Sequence, residues 1–181
     1  MIANIITQSI IDNIKPINIS SFNQDENDYI NEWIKVLLEF SMDENNSYEV
    51  GVILDTLDWA QYDKVKGKEH SVKFDTDKMR AWLQNYNDRL ILIHNHPSDK
   101  TFSERDLLNF ARTKSIHMII VVGNKGSIYT LRKLTNFDKL QFAKQLSKVL
   151  SFYKGKMAKH QIIRSMLNKY DSKLGYEYKE F

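Results

Sequence analysis

Apolar residues recur along this chain with two different periods, and the alternation of those periods predicts its elements. Ile30, Trp33, Ile34, Leu37 and Leu38 fall at helical spacing and form one face of a packing helix, for which Asn27 is the predicted cap. Glu44-Asn45-Asn46-Ser47 breaks the pattern, and Tyr48 to Leu54 then reads as a strand with Glu49 near its start. Asp55 to Gly67 is polar and turn-like, and Glu69 to Phe74 reads as another short strand. Asp75 or Thr76 can cap a helix running through Met79, Trp82, Leu83 and Tyr86. Leu90 to Ile93 is an unbroken aliphatic run, the pattern of a strand buried on both faces. A capped helix with Leu107, Leu108, Phe110 and Ala111 follows, and then a second apolar run from Met118 to Val122. Gly123-Asn124-Lys125-Gly126 turns that run back into Ser127 to Arg132 as a hairpin. Two helical stripes come last, one through Phe142, Leu146, Val149, Leu150 and Tyr153 and one through Ile162, Ile163, Met166, Leu167 and Tyr170, interrupted at Gly155. Before residue 25 only Ile10 to Ile19 hints at an extended segment. The order describes an α/β domain with an N-terminal segment (1–24), a core (25–135) and a basic helical C-terminal extension (136–181).

Composition narrows the chemistry. With 181 residues, 42% apolar and 12% aromatic, the chain is long enough for a substantial core. It has no cysteine, which excludes disulfides and thiolate-based zinc sites, so any metal must rest on His, Asp or Glu. The stretch Met1-Ile2-Ala3-Asn4-Ile5-Ile6 lacks a basic flank and a long apolar run, and no later segment approaches about 18 uncharged apolar residues. The expectation is a soluble, cytoplasmic protein with no membrane partner. A formal charge of +3 does not by itself indicate nucleic acid. The charge is uneven, however: Lys139 to Tyr170 carries seven lysines, Arg164 and no acidic residue. That arm reads as a helix with a solvated lysine face, or as a surface for an acidic partner or a nucleic-acid backbone.

The aliphatic strand ends in His94-Asn95-His96-Pro97. Side chains on a strand alternate faces, so His94 and His96 point the same way, as two ligands of one ion would, with Asn95 on the other side. Pro97 cannot donate to a sheet ladder and ends the strand. Ser103-x-x-Asp106 opens the next helix. It reads as an ordinary capping pair, and equally as the source of a third ligand, Asp106, with a fourth position left for water. A hydrolase of this kind needs a carboxylate beside that water, and Glu49 is the candidate, with Glu69 as its rival. Glu49 could also be a solvated strand end. His70, His117 and His160 are read as non-ligands.

The string His-Asn-His-Pro-Ser followed by Ser-x-x-Asp, together with the order of elements, resembles the JAMM metallopeptidases of the MPN, or JAB, fold, most closely the RadC-type bacterial and phage branch. The similarity covers Asp25 to Leu134. It implies a central mixed sheet flanked by helices, of cytidine-deaminase-like architecture, and about one zinc ion per chain. Carried over by position, it makes His94, His96 and Asp106 the metal ligands, Glu49 the base and Ser103 the residue that steadies the tetrahedral intermediate. The loop between His96 and Ser103 is one residue shorter than the usual family pattern. The implied activity is a zinc metallopeptidase or isopeptidase acting on a protein or peptide, a ubiquitin-like conjugate among the candidates. The alternative is a RadC-like accessory protein of phage or mobile-element origin that binds DNA or protein with little hydrolysis. An HNH nuclease is disfavoured, because in that class the three residues are spread over a strand, a hairpin and a helix.

Overall fold

A computed structural model describes residues 4–181; the first three positions of the N-terminal segment lie outside the described residues. In chain order the elements are α1 (Gln8–Asp12), α2 (Gln24–Glu44), β1 (Val50–Asp55), β2 (Tyr62–Lys66), α3 (Asp77–Asn85), β3 (Leu90–His96), α4 (Glu104–Arg112), β4 (Ile116–Gly123), β5 (Ile128–Lys133), α5 (Lys139–Phe152), α6 (Lys159–Leu174) and β6 (Tyr176–Glu180). The strands form one mixed sheet in the order β2-β1-β3-β4-β5-β6. Among the described residues only β3 and β4 pair in parallel, with α4 as their crossover.

Both faces of the sheet are covered, which is why β3 reads as a continuous apolar run. Leu90 and Leu92 point to the layer built by α3, α4, α5 and α6, whereas Ile91 and Ile93 point to α1, α2 and the N-terminal segment. The same alternation carries His94 and His96 to the α4 face and Asn95 to the α2 face. Among the described residues, no helix is long and apolar enough to cross a membrane.

Several local expectations change. The cap of α2 is Asn23, in a capping box with Glu26, and Asn27 lies inside the first turn. Buried Asn27 instead accepts from Ile19 N at 2.8 Å and donates to the carbonyls of Ile19, Phe22 and Asn23, tying down the end of a segment that was expected to be extended from Ile10 to Ile19 but is helical in α1 and irregular after it. The polar stretch thought to be a turn contains β2, an edge strand whose outward positions Tyr62, Lys64 and Lys66 face solvent. An edge strand buries so little that its apolar alternation is faint. Residues 69–74 form no strand; Lys68 and Ser71 make an isolated bridge that closes a tight turn. The chain also does not end in a helix. Gly175, with φ +71°, reverses it into β6, which pairs antiparallel with β5.

Candidate metal centre

The centre lies at the C-terminal end of β3, between the sheet and the first turn of α4. His94 Nε2 and His96 Nε2 approach to 3.1 Å. Asp106 Oδ1 is 3.5 Å from His94 Nε2 and Asp106 Oδ2 is 3.4 Å from His96 Nε2. A tetrahedral ion with metal–ligand bonds of about 2.0–2.2 Å spaces its ligand atoms roughly 3.3–3.6 Å apart. The trio therefore has nearly the dimensions such an ion requires, and its potential ligand atoms all lie within 4.8 Å of one another. His94 and His96 are buried and the Asp106 side chain is only 18% exposed. These residues could hold a metal ion.

Each ligand has a local cause. His96 Nδ1 lies 2.9 Å from the carbonyl oxygen of Lys100. A carbonyl only accepts, so Nδ1 carries the proton and Nε2 presents its lone pair to the centre. The loop that supplies this carbonyl is clamped to the β4–β5 hairpin, since Asp99 Oδ1 accepts from Lys125 N at 3.0 Å and from Ser127 Oγ at 2.9 Å. Gly123 is required there, because a Cβ at that position would overlap the Asp99 carboxylate. On the other side Phe74 meets His94 edge-on, with ring centroids 6.3 Å apart. The room for Phe74 comes from Gly51, where a Cβ would lie 2.6 Å from its ring. His94 Nδ1 is a buried nitrogen with no hydrogen-bond partner among the described residues.

Asp106 combines the two sequence readings. Its backbone N–H donates to Ser103 Oγ at 3.2 Å, and its Oδ2 accepts from Ser103 N at 2.7 Å, a complete capping box. The same carboxylate faces both imidazoles. Burial disfavours its charged form, but His94 and His96 outweigh that and hold Asp106 well below the usual carboxylate range. Burial likewise opposes protonation of His96, yet Asp106, Glu49 and the Lys100 carbonyl together raise its pKa above the ordinary imidazole value. Ser103 lies at the rim of the same cleft.

Glu49 immediately precedes β1. The register pairs Gly51 with His94, so its continuation sets position 49 across from position 96 on one face of the sheet. The residue is 8% exposed and lines the cleft beside His96. Burial pushes its pKa up, with His96 and His94 pulling the other way. Glu69 is not in this group. Its side chain is 45% exposed and lies 3.5 Å from the His70 ring.

One positioning residue was not recognised from the sequence. Asn95, fully buried on the back of β3, accepts from Val50 N at 2.7 Å and donates to Tyr48 O at 3.2 Å, so it holds the backbone on both sides of Glu49. Its amide also donates to Asn124 Oδ1 at 2.8 Å, and Asn124 in turn donates to Asn4 O and Ser47 O. Its parity on a buried strand was the available signal; its partners, distant in sequence, left none.

The cleft, about 780 Å³ in volume, is walled by the outer face of α4, the start of α6 and the 70–74 segment. The basic C-terminal arm thus contributes Lys159, His160 and Ile163 to the same site. In comparisons with known proteins, no family model, no curated protein and no solved structure matches this chain.

Proposed function

We propose that this protein is a zinc-dependent metallopeptidase or isopeptidase of JAMM type, built on an MPN/JAB-like arrangement of its mixed sheet. The observation that carries the reading is the convergence of His94, His96 and Asp106 in one cleft with the buried carboxylate of Glu49. Two imidazoles and one carboxylate, without thiolates, make a donor set suited to a hydrolytic zinc centre. A zinc ion held by these residues would lower the pKa of a coordinated water toward neutrality and polarise a carbonyl.

The residues of the chain divide the remaining work. Glu49 accepts a proton from the attacking water and delivers it to the departing amine, and a carboxylate whose pKa is raised by burial suits both transfers. Ser103 Oγ accepts from Asp106 N, which leaves its own O–H proton to donate to the developing oxyanion. The Lys100 carbonyl and the Ser103–Asp106 capping box hold His96 and Asp106 in orientation, so little reorganisation is needed during reaction.

The test is metal analysis joined to turnover. Purified protein is expected to carry about one zinc per chain, and His96→Ala to lose it. Glu49→Gln is expected to keep the metal while cleavage of peptide and ubiquitin-like conjugate probes falls by about 10²–10⁴. Wild-type protein that binds no zinc even when it is supplied would rule the proposal out. A second reading, a DNA- or protein-binding accessory role with little hydrolysis, rests on the acid-free run of lysines from α5 into α6. It predicts salt-sensitive DNA binding that survives Asp106→Ala.

A further inference from the structure

The face of α4 turned to the cleft presents Arg105, Leu108, Asn109 and Arg112, at i, i+3, i+4 and i+7. Arg105 stands in the first turn of the helix, where the macrodipole favours anions and disfavours a cation. Neither Arg105 nor Arg112 makes an ion pair with any described residue. Glu104, an acid of the same cleft wall, is already engaged by Lys159 Nζ at 2.8 Å. The two guanidinium groups are therefore left exposed along one wall of a cleft whose floor holds the metal ligands. Leu108 stands between them, and Val72 of the 70–74 segment adds apolar surface to the same cleft.

Building on the hydrolase reading, we propose that this wall selects acidic polypeptide, pairing Arg105 and Arg112 with carboxylate side chains that flank the scissile bond. The spacing sets the reach. Arg112 follows Asp106 by six positions, roughly 9 Å along the helix axis. An extended peptide covers that distance in two to three residues, at about 3.3 Å each. Arg112 therefore reads a side chain two or three positions from the bond cleaved, and Arg105, beside the ligand Asp106, reads one adjacent to it. A guanidinium can take a carboxylate with two parallel hydrogen bonds, which the amide of an Asn or Gln side chain does not reproduce.

The experiment uses full-length, zinc-loaded Glu49→Gln protein, which holds a peptide without consuming it. Fluorescence anisotropy compares a labelled peptide of alternating Asp and Ala with its Asn–Ala counterpart, and unlabelled duplex DNA serves as competitor. The expected result is binding of the Asp peptide about tenfold tighter or more. R105Q/R112Q should erase that difference while zinc content and thermal midpoint stay unchanged. Equal affinity for the two peptides overturns the proposal, as does a preference for Asp that survives R105Q/R112Q. Displacement of the peptide by DNA at lower concentration also overturns it and makes nucleic acid the ligand of this cleft. Zinc content measured on the same samples separates the two readings. Bound zinc without charge preference overturns the acidic specificity alone, whereas a chain that takes no zinc removes the hydrolase reading and this inference with it.

Discussion

At the scale of single residues, one side chain repeatedly meets two demands. The Asp106 carboxylate satisfies a free N–H at the start of α4 and also faces two imidazoles. Asn95 works in the same way from the back of the strand, satisfying Val50 N–H and Tyr48 C=O while bridging to Asn124. Removing it strands several buried polar groups, each costing about 1–3 kcal/mol when left unpaired. Asn95→Ala is expected to lower unfolding stability in urea by roughly 2–4 kcal/mol. On the proposed mechanism it also reduces kcat with zinc stoichiometry retained, since the histidines are untouched and only Glu49 loses its support. Lys133 carries a different strain. It is buried over Phe110 and Phe137 and donates to Thr113 O at 2.7 Å. Burial pushes its pKa down from 10.5 to about 8, with Asp88 opposing. In the unfolded chain the lysine still binds its proton between about pH 8 and 10.5 when the folded one does not, so folded stability rises with pH across that window. Relative to Lys133→Met, the wild type should gain up to about 3 kcal/mol there, read by urea unfolding at stepped pH.

At the scale of elements, the site is a joint between β3, its crossover helix α4 and the β4–β5 hairpin. The loop after His96 is anchored where it leaves the strand. Asn124 N donates to His96 O at 3.2 Å and Asp99 N donates to the same carbonyl at 3.0 Å. Gly123 is the residue that lets this loop close on the hairpin. Gly123→Ala is expected to push Asp99 away, destabilise the fold by about 1–3 kcal/mol and disturb the Lys100 carbonyl that orients His96. Loss of such an orienting partner weakens a metal site by about 10- to 100-fold, which a zinc titration against a chromophoric chelator would measure. At the far edge of the sheet, β6 covers β5. Buried Tyr176 donates to the carbonyls of Met166 and Leu167, locking the strand onto α6.

At the scale of the molecule, the basic arm and the metal ligands belong to one surface. α6 packs on α5 and β6 and brings its N-terminal turn to the cleft. Its Lys159 reaches Glu104 of α4. On the proposed function, zinc joins β3 to α4 and binds the folded chain far better than the unfolded one. At a hundredfold excess over Kd it should add about 2.7 kcal/mol of stability. For a chain of this size that raises Tm by roughly 5–10 °C in calorimetry. The gain should shrink as the solution is made acid, because the raised pKa of His96 lets protons compete with the metal for Nε2. An increment that persists unchanged at about pH 5 would contradict histidine ligation.

What the sequence determined by itself is what rests on local rules. Strand alternation put His94 and His96 on one face and Asn95 on the other, and the spacing from Ser103 to Asp106 announced a capped helix. Aliphatic runs marked β3 and β4, because Leu90 to Ile93 and Met118 to Val122 are buried on both faces and carry no polar position to blur the pattern. Elements with weak burial or long-range partners were not legible. β2 is an exposed edge, and β6 is a strand only because β5 is there to pair with it. Tertiary structure alone decided that Asp106 faces the histidines while it caps its helix, and that Glu49, not Glu69, lines the cleft. It also made the basic arm a wall of that cleft. These are distances between segments dozens of residues apart, set by sheet register and helix packing, and no local period encodes them.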